Sequence, residues 1–242
     1  MRKIVITGAS SGIGLQLAKD YLQQGHQVFA CGRRIEKLHQ GLDHPNVKHL
    51  VFDTTNATQC EEVLGQLSPP DLVILNAGGC EYVDDGKALD AALFSRVIDT
   101  NVKGTVNCLA ALLPRMKTGS QVAIVSSSVT LLPLTRAEAY GASKSALDYL
   151  ARSLAVDLRE HRIEVSLIRP GFVDTPLTQR NDFPMPGQIS VNEASRCIRQ
   201  GLEKRKSEIN FPWLFIVTMR LLALLPGSWW QLIAANMRKS TA

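Results

Sequence analysis

Tyr140 and Lys144 lie four residues apart in the run Tyr-Gly-Ala-Ser-Lys. On a helix that spacing puts a phenol and an ammonium on one face, one turn apart. A free phenol ionises near pH ~10, whereas proton transfer around neutrality works best with a pKa of about 7. Closing that gap takes about 4 kcal/mol of preference for the phenolate. A neighbouring cation acts in that direction. Ser127 joins the pair: it sits in the run Ser126–Ser128, at the end of the apolar stretch that starts at Gln121, thirteen residues before Tyr140. Its hydroxyl could hold a carbonyl or alcohol oxygen while Tyr140 gives or takes the proton. Read alone, Tyr140 and Lys144 also fit a plain helix-surface pair.

A second group opens the chain. The run Lys3–Thr7 leads into a turn holding Gly8, Ser10, Ser11, Gly12, Ile13 and Gly14. Glycines there remove Cβ obstacles, so backbone N–H groups can approach a pyrophosphate. A helix starting near Gly12 adds unpaired N–H groups and a partial positive charge. A turn that merely packs strand on helix is the plainer alternative. The second apolar run ends Cys31-Gly32-Arg33-Arg34, without the acid that would bond a ribose 2′-hydroxyl. Two arginines before a helix oppose its macrodipole. That conflict makes sense if a guanidinium clamps a phosphate in bidentate fashion. NADP is therefore expected in preference to NAD, although two solvated arginines would read the same and Ser11 supplies no further cation in the turn. A nicotinamide ring, positive when oxidised, would reinforce Lys144 in favouring the phenolate.

The elements needed to position these groups are legible. Apolar β-branched runs at 3–7, 26–32, 47–53, 71–79, 121–128, 163–171 and 207–211 alternate with amphipathic helical patterns. Continuous apolar strands between helices imply a parallel sheet covered on both faces. The expected fold is α/β, a doubly wound Rossmann architecture of about seven strands, with ligands at the carboxyl ends of the strands. Residues 1–211 would form the dinucleotide-binding and catalytic domain, and 212–242 an apolar helical extension of it.

Composition sets the outer bounds. The 242 residues, 45% hydrophobic and 20% charged, fit one ordinary domain. Five scattered cysteines form no C-x-x-C pair, and the five histidines show no ligand spacing, so no metal site or disulfide framework is indicated. No signal-peptide pattern opens the chain; a cytoplasmic protein with reduced thiols is expected. The net charge is +5, and from Arg196 onward eight Lys/Arg face only Glu203 and Glu208. That patch reads as a solvated basic face or a docking site for an anionic partner; no nucleic-acid partner is expected.

Taken together these motifs resemble the short-chain dehydrogenase/reductase family over about residues 1–211. The resemblance rests on the glycine turn at 7–14, Asn76-Ala77-Gly78, Asn101 in Asn-Val-Lys-Gly, Ser127, Tyr140 with Lys144, and Pro-Gly-Phe-Val-Asp-Thr at 170–175. It implies that Asn101, Ser127, Tyr140 and Lys144 are catalytic, Asn101 kinking a helix and holding a water that leads to Lys144. It implies that Asp53, Asn76, Ala77 and Gly78 border the adenosine side and that Tyr140 and Lys144 also touch the cofactor. Pro170, Gly171, Val173 and Thr175 would frame the nicotinamide. One departure is Leu75, where the family has a second asparagine; as a strand position it is expected to affect stability slightly and activity not at all. The family also implies a homodimer or homotetramer through the helices around Asn101 and Tyr140. The helical run 146–158 carries apolar residues beyond one face, which fits burial against a partner or inside the subunit equally.

Two segments remain. Residues 174–189, rich in Pro and polar groups, occupy the position of a mobile lid, with Leu177, Phe183 and Met185 available to make a pocket apolar. Residues 211–237 carry Arg220 as their single charge, and Pro226-Gly227 interrupts them. The pieces fall short of the ~20 residues a bilayer span needs. Two short helices are expected, from about Trp213 to Leu225 and from about Ser228 to Arg238. They could cover the cleft, form a subunit interface, or lie on a membrane surface. The sequence thus points to an NADP(H)-dependent oxidoreductase interconverting a carbonyl and a secondary alcohol, on a hydrophobic substrate. The alternatives are a dinucleotide-binding protein without turnover or a peripheral membrane reductase.

Overall fold

In a computed structural model, residues 1–239 are described, with side chains as far as residue 235. Residues 240–242 of the expected extension, and the side chains of Arg238 and Lys239, lie outside the described residues. Seven strands form one sheet: β1 (Lys3–Thr7), β2 (Gln27–Gly32), β3 (Val47–Val51), β4 (Leu72–Leu75), β5 (Gln121–Val125), β6 (Glu164–Pro170) and β7 (Glu208–Phe211). Their order is β3-β2-β1-β4-β5-β6-β7, and every pairing is parallel. This is the doubly wound fold expected from the continuous apolar runs.

The period of two along each strand sorts the core into two layers. Ile4 and Ile6 face one side with Leu17, Ala18, Leu38 and Ile198 of α1 (Gly12–Gln23), α2 (Ile35–Gly41) and α7 (Val191–Glu203). Val5 faces the other with Cys60, Leu64, Leu112 and Leu147, from α3 (Ala57–Leu64), α5 (Gly104–Leu112) and α6 (Glu138–Asp157). Leu75 is buried in that second layer, as expected for a strand residue.

Position along the sheet decides where the chemistry sits. Chain order reverses beside β1, so a crevice opens at the carboxyl ends of β1 and β4. α4 (Ala91–Ile98) runs into a π-helical stretch, Asp99–Lys103, and on into α5. α6 is held against the sheet by Arg169 of β6, 1% exposed, whose Nε donates to Asp148 Oδ2 at 2.7 Å and whose Nη1 donates to Glu208 Oε2 at 2.9 Å. No sequence pattern marks that buried ion pair.

The extension forms α8 (Trp213–Leu222) and α9 (Gly227–Lys239), bent by 118° at the break. α8 ends three residues before the expected Leu225, where the chain turns toward Pro226. Its inner face buries Ile216 and Met219, and α9 buries Trp230, whose Nε1 donates to Pro133 O at 2.7 Å. Both rest on Leu132, outside the two sheet layers.

Candidate active site

The glycine turn is built as its composition requires. Gly8 and Gly12 have φ of +67° and +54°, a region costly for residues with a Cβ. A Cβ on Gly12 would stand 3.2 Å from Thr175 Cγ2, and one on Gly14 would run into Gly8 O. Asn76 fastens the turn from β4: its Nδ2 donates to Thr7 O at 3.2 Å and Gly8 O at 3.3 Å. Thr7 Oγ1 in return accepts the backbone N–H groups of Asn76 and Ala77, each at 3.0 Å. Ser11 caps α1 with its backbone alone, since its side chain makes no cap bond, so the first N–H groups keep no side-chain acceptor.

A cleft of about 320 Å³ lies over this turn. Of the residues expected to bind a cofactor, Gly8, Ser10, Ser11, Gly12, Ile13, Arg33, Arg34, Asp53, Asn76, Ala77, Gly78 and Thr175 line it. Sequence reasoning missed Lys37, Thr54 and Thr100 on the same wall, and Leu177, expected at the substrate pocket, lies here instead. Lys37 follows Arg34 by three residues on α2, a spacing that shares a helix face and was available as a signal. Arg33, Arg34 and Lys37 form no ion pair or side-chain hydrogen bond among the described residues, so three free cations stand at one end of the cleft. Asp53 accepts from Thr55 N at 2.9 Å and Thr55 Oγ1 at 2.8 Å through one oxygen. A glycine cradle with open N–H groups, followed by unpaired cations, fits a dinucleotide carrying an extra phosphate.

Gly14, Pro170, Gly171 and Val173 do not face the cleft. Gly14 lies beneath the turn, and Val173 is buried in a bridge to Ile189. Pro170 ends β6, and Gly171 after it abuts Phe215 and Pro212 at the base of α8.

Next to the cleft the four expected catalytic residues come together. Lys144, 5% exposed, donates from Nζ to Val125 O at 3.0 Å. Its Nζ is 5.7 Å from the centroid of the Tyr140 ring. Ser127 lies beside the phenol and favours its ionised form, and its Oγ accepts from Val129 N at 3.2 Å. Ser126, by contrast, is structural: its Oγ donates to Lys144 O at 3.1 Å. Asn101 lies in the π-helical stretch, the helix irregularity the resemblance implied. Its Oδ1 accepts from Gly79 N at 2.7 Å, and its Nδ2 donates to Gly79 O and Ser143 Oγ, each at 2.9 Å. Gly78 joins the two regions: a Cβ there would stand 3.1 Å from Asn101 Oδ1 and 3.4 Å from Lys144 Nζ.

The electrostatics differ from expectation. Burial pushes Tyr140 above the usual phenol value, the nearby Cys80 adds to this, and only the Ser127 hydrogen bond pulls it down. Burial also lowers Lys144 to about 8, against the opposing effects of Cys80 and Asp148. The phenol and amine share one dry site, so each loses hydration. An ammonium directed at Val125 O does not overcome that loss for Tyr140. The lowered Tyr140 pKa expected from Lys144 is therefore not a property of the chain alone.

An apolar wall adjoins these groups. Tyr82, Phe183, Phe172 and Phe215 form a chain of rings with centroid separations of 5.6, 6.1 and 5.6 Å. Tyr82 Oη donates to Asn181 Oδ1 at 2.9 Å. Arg136 has φ +64° and lies 5.4 Å from the Tyr82 centroid. It bonds Asp182 and Asp84, each at 2.8 Å, tying the expected lid to the loop that follows Gly79. Leu177 faces the dinucleotide cleft, and Met185 accepts from Asn181 at 3.3 Å. Of the expected pocket residues Leu177, Phe183 and Met185, only Phe183 belongs to the ring wall.

Comparison with known proteins places this geometry among relatives. The short chain dehydrogenase family model matches residues 2–184. An uncharacterized oxidoreductase of Myxococcus xanthus is 35% identical over 98% of both chains. An NADP-dependent 3-hydroxy acid dehydrogenase of Shigella flexneri is 30% identical over 70% of this chain and 72% of its own. A short chain dehydrogenase of Burkholderia cenocepacia, solved in complex with NADP, superposes with a TM-score of 0.84. It is 26% identical and covers 98% of this chain and 97% of its own.

Proposed function

The chain belongs to the short-chain dehydrogenase family and is an oxidoreductase, and from that premise we propose that it interconverts a carbonyl and a secondary alcohol with NADP(H), on an apolar substrate. The observation that carries this is the convergence of Tyr140, Lys144 and Ser127 beside a cleft whose far end holds Arg33, Arg34 and Lys37 without ion-pair partners. The cofactor supplies or accepts the hydride. The three cations hold its extra phosphate, in keeping with the NADP of the Burkholderia structure and the name of the Shigella relative.

The chain's own residues manage the proton. Ser127 donates to the substrate oxygen in place of the Tyr140 phenol and fixes its position. Tyr140 gives its proton to that oxygen on reduction and recovers it on oxidation. Lys144, close to half protonated near pH 8, holds positive charge beside the phenolate. Charge brought by an oxidised nicotinamide would supply the stabilisation that the chain alone lacks. Asn101 anchors Gly79 and, through Ser143, the backbone beside Lys144. The ring wall excludes water and favours an apolar substrate. A homodimer or homotetramer in the cytoplasm belongs to the same reading; the exposed Tyr149 and Val156 on α6 offer it a surface.

The test is NADPH consumption over a panel of apolar ketones and aldehydes, for the wild type and Tyr140→Phe. Turnover of at least one substrate that the variant lacks supports the proposal. Equal rates in both would remove Tyr140 from the mechanism, and NADPH binding with no turnover of any substrate would favour a protein that only binds the dinucleotide.

A further inference from the structure

A helix resting on a soluble domain normally turns charged residues outward. α8 and α9 do not. Their inner faces are already satisfied by Leu132 and its neighbours. Their outer faces expose Trp213, Leu214, Leu221 and Leu224 on or just after α8, and Trp229 and Leu232 on α9, each 61–81% accessible. Single exposed apolar residues are unremarkable, but this many on two adjoining helices form a patch that calls for a partner.

Charge selects the partner. From Ile209 to Ala242 the sequence has no Asp or Glu and three cations, Arg220, Arg238 and Lys239. Arg220 is half exposed, with a loose 3.6 Å contact to Glu208. A two-fold contact between copies would set this patch against itself, in a segment whose sequence carries cations and no carboxylate to compensate them. An anionic lipid surface offers the complement: acyl chains for the leucines, headgroup depth for two tryptophans, phosphates for the cations. Neither helix alone is long enough to cross a bilayer, and the 118° bend suits lying along one.

We propose that α8 and α9 dock the protein peripherally on an anionic bilayer surface through Trp213, Leu221, Trp229 and Leu232. The patch adjoins the candidate active site, because Phe215 of α8 closes the ring wall against Phe172 and abuts Gly171. A lipid-soluble carbonyl would then reach the pocket from the membrane side. That consequence alone rests on the proposed function; the docking does not.

The experiment is flotation of the full chain with phosphatidylcholine vesicles and with vesicles containing about one third phosphatidylglycerol. Quenching of tryptophan fluorescence by brominated lipid is read alongside. The comparison variant carries Trp213→Ser, Leu221→Gln, Trp229→Ser and Leu232→Gln, with circular dichroism and NADPH binding checking its fold. Full-length protein should float with anionic vesicles, be quenched, and bind at least tenfold more tightly than the variant, with binding weakened by salt. A full chain that stays in solution with both vesicle types overturns the proposal. So does equal binding by the variant, or a dimer in sedimentation that the variant loses while neither form binds lipid. Each readout is independent of turnover, so a chain without reductase activity would leave the docking result intact.

Discussion

Replacing Lys144 by methionine should cost the reaction and yet relieve the fold, and the two effects separate by pH. The amine is 5% exposed, and burial lowers it from 10.5 to about 8. A lowered folded-state value means that the native state resists protonation more than the unfolded chain does. The penalty is absent above the unfolded value, grows as pH falls, and is complete below the folded value. A displacement of that size corresponds to about 3 kcal/mol of native-state cost near neutral pH. Lys144→Met removes the cost but abandons Val125 O, now bonded at 3.0 Å. Leaving that carbonyl unpaired costs ~1–3 kcal/mol. At neutral pH the variant is therefore expected to be as stable as the wild type, or up to about 2 kcal/mol more so, from the difference of these two terms. The pH slope is the sharper quantity. Between about pH 7 and about pH 10 the wild type should gain roughly 2–3 kcal/mol relative to the variant. Urea unfolding of both proteins across that range, with equal m-values required, measures it. Parallel pH dependences would refute the claim that the buried ammonium carries this cost.

Other consequences are as direct. Single substitutions Arg33→Ala, Arg34→Ala and Lys37→Ala should weaken NADPH binding while leaving NADH binding within about twofold. A charge-assisted contact is worth ~1.5–3 kcal/mol, so the residue that holds the phosphate should lose roughly tenfold or more; fluorescence titration with both cofactors reads it. Arg169→Met should destabilise by about 3–5 kcal/mol, because Asp148 and Glu208 would lose a buried guanidinium; thermal unfolding checks it. Arg136→Ala should change stability by less than ~1 kcal/mol, its partners being exposed. It should nevertheless raise KM several-fold and speed proteolysis within 174–189, while Arg136→Lys restores part of both.

The sheet was legible because strands buried on both faces must be apolar throughout, and the runs at 3–7 and 121–125 have no other reading that fits their length. Gly8, Gly12, Tyr140, Lys144 and Ser127 were legible because fixed spacing on a turn, a helix or a strand end fixes their neighbours in space. The rest depended on contacts between distant segments. The spacing of Lys37 from Arg34 puts both on one helix face, but that this face meets the cleft is settled only once α2 is placed against β3. Arg136 joins Asp84 to Asp182 across 52 and 46 residues of chain, and no local periodicity encodes that. The raised phenol of Tyr140 escaped for a related reason: spacing shows that Lys144 is near, but only the packed site shows that both groups are dry. The outer faces of α8 and α9 were visible as composition, while their separation from an inner, buried face required the fold.

The mechanism turns on whether the Tyr140 phenol ionises near neutrality once the oxidised cofactor is bound. Ultraviolet difference titration of the wild type against Tyr140→Phe, with and without NADP⁺, measures that ionisation. A phenolate should appear only in the NADP⁺ complex, with an apparent pKa of about 7. A Tyr140 phenol that stays protonated past pH ~10 in both states would contradict it.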